Sequence, residues 1–160
     1  MTAPLRNDLR RILALWFPYL PSDRVFRQRL GRSWLSAKSA STLPPLVFSH
    51  LENNTRRIAA LNPSAERMKL KRGMGLADAR AIHPKLAAVE ADPDEDARAL
   101  DNIAAWCERF TPIVVLDPPD GLFLDITGCA HLFGGERALR EQIVTRLHAQ
   151  GFGARAAIAP

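Results

Sequence analysis

The chain has 160 residues, 47% of them hydrophobic, 24% charged and 7% aromatic, which supports one real core or one domain with a smaller insertion and excludes a disordered chain. Net charge is +5, but unevenly spread: Met1–Arg72 holds 14 Lys/Arg against 4 Asp/Glu, and the remainder 8 against 13. A basic half joined to an acidic half fits a face that meets a polyanion, though a solvated basic surface would read the same way.

From the N-terminus, Ile12–Phe17 is a short apolar run closed by Pro18, the signature of a buried strand. The run is too short and too proline-broken for a secretory signal, and no stretch of 18 apolar residues exists to span a membrane. Ser22-Asp23 then offers an N-cap for a helix over 24–30, stopped by Gly31. Residues 33–45 read as a Ser-, Ala- and Pro-rich loop. A short strand is expected at 46–49, residues 55–60 are ambiguous, and a short helix is expected over 64–71 after Asn62-Pro63. Gly73-Met74-Gly75 is a turn, 76–82 a helix ended before Pro84, and 86–89 a strand. The acidic start Asp92–Asp96 opens a helix whose apolar positions run through Leu100, Ile103 and Cys107. A hairpin is expected from 112–116 and 122–127 around Asp117-Pro118-Pro119-Asp120-Gly121, then a helix over 136–149 and a last strand over 154–159. Outside 33–90 the order is βαββαβ, so the fold class is α/β (α+β), a ferredoxin-like sheet carrying a small α/β insertion.

Such a sheet can carry a two-metal nucleotidyl-transfer centre, which needs two or three carboxylates converging from the first strand and the central hairpin. The hairpin offers Asp117, Asp120 and Asp125. The first strand offers none, and Asp23 reads as an N-cap. One lone carboxylate does not hold two hard cations against their hydration. Cys107 and Cys129 lie outside any metal-ligand spacing, and His50, His83, His131 and His148 are scattered as surface or half-buried side chains.

Several segments resemble the Y-family (translesion) DNA polymerases. Leu122–Gly128 resembles their "DE-x-x-LD-[IV]-[ST]" hairpin, Gly73–Ala79 with Pro84 resembles their "SGMPLxEA" fingers motif, and Gly151–Ala159 resembles their "G-x-x-x-S-x-G-I-A" strand. Cys129–Glu136 is similar to the corresponding segment of the catalytically inactive, ImuB-type branch. The resemblance runs from about Ile12 to Pro160 and implies a palm split into residues 1–38 and 91–160, with fingers inserted at 39–90. Thumb and little-finger domains would follow in a longer protein.

The departures fall on the chemistry. Trp16 stands at the family's first metal-binding Asp, Pro21 near its steric gate, Asp120 at its first hairpin carboxylate and Gly121 at its hairpin Glu. Pro63 and Glu66 replace the Tyr and Arg that hold the triphosphate. The resemblance therefore implies a pseudo-polymerase that binds no cofactor or metal. Its role would be that of a bacterial, cytoplasmic DNA-repair scaffold for error-prone translesion synthesis. Its partners would be DNA, an error-prone C-family DNA polymerase, a RecA-like protein of the ImuA type and, through regions beyond this chain, the sliding clamp. Arg67, Lys69, Lys71 and Arg72 are the expected DNA contacts, with Arg6, Arg10 and Arg11 as a mobile basic arm. Trp16 is expected in the core, plugging the former metal site. An active polymerase with unusual metal ligands and a ferredoxin-like interaction module without DNA binding are the alternatives.

Overall fold

The computed structural model describes residues 9–160; Arg6 lies outside them. Strand β1 (Ile12–Trp16) sends Leu13 and Leu15 inward and Ile12, Ala14 and Trp16 to the other face. An all-apolar strand alternates here because its sheet is covered by helices on one face only. Helix α1 (Leu20–Leu30) starts four residues before the expected Arg24, because Pro21 sits in the first turn, where its missing N–H is no loss. Asp23 is consequently not a cap: it lies one turn inside and is buried. The expected loop at 33–45 contains two short 3₁₀ turns, Trp34–Ser36 and Lys38–Thr42.

Strands β2 (Leu46–Glu52) and β3 (Thr55–Leu61) form an antiparallel hairpin. Its turn residues Asn53 and Asn54 have φ of 49° and 60°, the left-handed pair that matches strand twist. Helix α2 (Pro63–Arg67) is shorter than the expected 64–71. Asn62 starts it by accepting the Ala65 N–H, and Lys69, at φ 62°, turns the chain out of helix. Helix α3 (Leu76–Ile82) leads to β4 (Ala87–Glu90), which pairs parallel to β2 and completes a three-stranded sheet in the order β3-β2-β4.

Helix α4 (Pro93–Cys107) is capped by Asp92, which accepts from the Glu95 N–H at 3.1 Å. Strands β5 (Val114–Asp117) and β6 (Gly121–Asp125), helix α5 (Glu136–Ala149) and β7 (Arg155–Ala159) follow. The four-stranded sheet runs β5-β6-β1-β7, every pair antiparallel, as a βαββαβ fold requires. Leu100, Ile103 and Cys107 of α4 and Leu139, Ile143 and Leu147 of α5 pack with Leu13, Leu15, Leu122 and Leu124 on one face. Each such side chain contributes about 1.5–3 kcal/mol by leaving water.

The smaller sheet has its own core, including Val47, Ile58, Leu70 and Leu76. A third cluster joins the two bodies: Val25 and Phe26 of α1 and Trp34 pack with Leu46, Phe48 and Ala60. Arg11 is not part of a free arm. Its guanidinium grips Glu136 through two hydrogen bonds of 2.8 and 2.9 Å, and the Arg11 backbone N–H donates to Thr127 Oγ1. No helix among the described residues is long and apolar enough to cross a membrane.

Candidate functional site

The open face of the four-stranded sheet is formed by residues that alternate with the core. Trp16, Gly121 and Arg155 lie side by side at one end, because Trp16 registers with both of the others. Trp16 is 45% exposed, which overturns the expectation of a core plug. It occupies the last position of β1, and β1's helix-covered face is opposite. The indole lies on the surface, with the Arg155 guanidinium 5.1 Å from its ring and its Nε1–H donating to Asp120 Oδ2 at 3.2 Å.

The hairpin acids do not converge. Asp120 precedes β6, and its carbonyl accepts the Phe17 N–H, which zips the turn to the end of β1. Asp125 registers with Ile12, four residues from the Trp16–Gly121 pair, or about 13 Å at ~3.3 Å per residue. The Thr127 hydroxyl and backbone N–H hold the Asp125 carboxyl below its ordinary range, an arrangement that ends the strand. Asp117 registers with Gly121. A Cβ on Gly121 would stand 3.0 Å from both the Asp117 carbonyl and its carboxylate, so the turn has closed over the place where a Glu side chain would begin.

A two-metal centre needs carboxylates from both strands. This sheet end supplies Asp120, already engaged by an indole N–H, beside a glycine and a tryptophan. Among the described residues no three His, Cys, Asp or Glu side chains gather where an ion could be held. The residues present do not fit a metal pair.

The second feature is a groove of about 710 Å³ lined by Pro18, Tyr19, Glu66, Lys69, Lys71 and Arg72, among others. The turn after α2 brings the three cations there, because Lys69 leaves the helix and Gly73 and Met74 dock on β3 through hydrogen bonds with Ile58. The Tyr19 hydroxyl donates to Glu66 across this groove, linking α1's start to α2. That bond, reinforced by burial, raises the Tyr19 pKa. Arg67 separates from the other three: it donates to Ser64 Oγ at 3.0 Å and, with Pro63, borders a different cleft. The structure thus gathers Lys69, Lys71, Arg72 and Glu66, brings Trp16, Asp120 and Gly121 together elsewhere, and leaves Pro63 and Arg67 apart from both. Sequence reading missed Tyr19 and Arg155, whose partners are 47 and 139 positions away and leave no local signal.

A model described as the impB/mucB/samB family matches residues 39–160. Protein ImuB of Caulobacter vibrioides (strain NA1000 / CB15N) is 50% identical over 92 residues, 58% of this chain and 20% of that protein. DNA polymerase IV of Alkaliphilus oremlandii (strain OhILAs) is 28% identical over 92 residues, 58% of this chain and 23% of that protein. Among solved structures, DinB from Sulfolobus solfataricus superposes with a TM-score of 0.72 at 17% identity, and an insertion ternary complex of Dbh DNA polymerase with 0.74 at 16%. Each of these two covers 94% of this chain and 42% of its own. The match thus spans about a fifth of the curated relatives' length. The structural likeness establishes the palm-and-fingers fold, and the family model, matching most of the sequence, places the chain in the impB/mucB/samB family of Y-family polymerase-like proteins.

Proposed function

We propose that this chain is the palm-and-fingers part of a non-catalytic accessory protein of translesion synthesis, one that holds DNA without joining nucleotides. Residues 1–38 and 91–160 serve as its palm and 39–90 as its fingers. The observation that carries the reading is the sheet end itself. Trp16 lies beside Gly121, and the remaining acid, Asp120, accepts a hydrogen bond from Trp16. The groove adds to it, since Glu66, a carboxylate engaged by Tyr19, stands where the resemblance expects a triphosphate-holding Arg. Lys69, Lys71 and Arg72 supply charge for sequence-independent phosphate contact. Likeness to ImuB supports a bacterial cytoplasmic setting with an error-prone C-family polymerase, a RecA-like ImuA-type protein and the sliding clamp as partners.

The test is primer extension by the protein from its full reading frame, with Mg²⁺ and then Mn²⁺, beside an active Y-family polymerase. DNA binding without extension is expected. Template-dependent extension would overturn the reading, and absence of DNA binding at low salt would favour a pure protein-interaction module.

A further inference from the structure

Tyr19 also borders a second cleft, of about 460 Å³, walled by Phe26, Trp34, Leu35 and Leu43. Asp23 lines it while being only 3% exposed. Its Oδ2 accepts one hydrogen bond, from the Gly153 N–H at 2.9 Å. No Lys, Arg or His among the described residues pairs with it. A carboxylate offers about four acceptor positions, so most of this one's capacity is unused. Of the other charged or titratable groups around the cleft, Tyr19 is engaged with Glu66, Arg67 with Ser64 and the Ser41 carbonyl, and Lys38 lies on an exposed turn. Burial pushes the Asp23 carboxyl up to about 7. Holding Gly153 alone would need only a neutral acceptor such as Asn, at lower desolvation cost.

We propose that this cleft is a binding site for a cationic nitrogen on an apolar stem, an alkylguanidinium or alkylammonium, with Asp23 as its counter-ion and the Trp34 side as its wall. The same chemistry is carried by an Arg or Lys side chain of a partner protein and by a free amine. The site shares only Tyr19 with the basic groove and no residue with the sheet end, so it stands whether or not the chain extends primers.

The test is titration of the ¹⁵N-labelled protein with n-butylguanidinium, with n-butanol as the neutral control. The Gly153 amide and the Trp34 indole N–H are the reporters. Saturable shifts at both with a millimolar dissociation constant are expected, tightening from pH 6 to pH 8 and absent with n-butanol. Asp23→Asn, which keeps the acceptor for Gly153, should weaken binding about tenfold or more while the rest of the spectrum is retained. A blocked Leu-Arg-Leu peptide gives the second arm: tighter binding than butylguanidinium assigns the site to a protein partner, weaker binding to a free amine. No saturable shift with either probe, or equal affinity in the Asn variant, would overturn the proposal.

Discussion

Asp23→Asn isolates the effect of charge burial with a change of one atom. In the unfolded chain this carboxyl titrates near 3.8, and in the fold burial raises it to about 7 while the Gly153 N–H opposes the rise. A carboxyl raised in this way keeps its proton longer in the native state. Its burial therefore carries no charge penalty below the unfolded pKa, and stability is lost as pH climbs from about 4 to about 7. At about 1.36 kcal/mol per pH unit the full loss is about 4 kcal/mol. Asn does not ionise, so the variant escapes it. Its amide N–H₂ lacks a partner in the cleft, a penalty of about 1–3 kcal/mol that does not change with pH. The measurement is urea unfolding of both proteins at half-unit pH steps and constant salt. The stability of the variant relative to the parent should climb by about 4 kcal/mol between about pH 4 and pH 7 and then flatten. A difference that stays level, or falls as pH rises, would show that Asp23 is not buried as an unpaired acid.

Trp16→Asp should cost about 1–2 kcal/mol in urea unfolding, the worth of one exposed cation–π contact and one hydrogen bond, and a loss above about 4 kcal/mol would restore the buried-plug reading. Gly151→Ala should lower the melting temperature sharply, because Gly151 sits at φ 92° and a Cβ would lie 2.9 Å from the Trp34 ring. Replacing Lys69, Lys71 and Arg72 together with Ala should flatten the dependence of log affinity for duplex DNA on log salt by about 2.7, at ~0.9 per lost phosphate contact, and an unchanged slope would remove the groove from the DNA interface. Ile143→Ala should cost about 2–5 kcal/mol, since Ile143 is wholly buried between α5 and the sheet.

The elements with long periodic patterns were readable from sequence: α4 and α5 lie where their apolar spacing and caps place them, and the βαββαβ order follows from the strands around them. Short elements were less so. Strand β3 hides behind Arg56 and Arg57, and its turn, Asn53-Asn54, is a weaker hairpin signal than Asn-Gly. Helix α2 looked longer because Lys69–Lys71 is compatible with helix in composition, and the left-handed Lys69 is set by the docking of residues 73–75 on β3. The departures of Trp16, Gly121, Pro63 and Glu66 from the Y-family pattern are visible in the sequence, but not the contacts these residues make. Trp16 misled for a physical reason: an apolar run does not say which of its alternate residues faces the uncovered side of a sheet. Asp23 misled because a Ser-Asp pair before an apolar stretch reads as a cap, whereas Pro21 moved the helix start upstream.

These replacements form a consistent set. An active centre of this kind gathers like charges that destabilise the fold until cations arrive. Losing a single carboxylate would leave the remaining acids unneutralised. Here Asp120 accepts the Trp16 indole N–H, Arg155 stacks on that indole, and the hairpin comes within 3.0 Å of where a Cβ on Gly121 would stand. At the groove, Glu66 is not a lone charge, because Tyr19 donates to it. Trp16, Asp120 and Glu66 thus each have a polar partner, and a carboxylate placed at position 16 would lose the Asp120 contact before it could hold an ion.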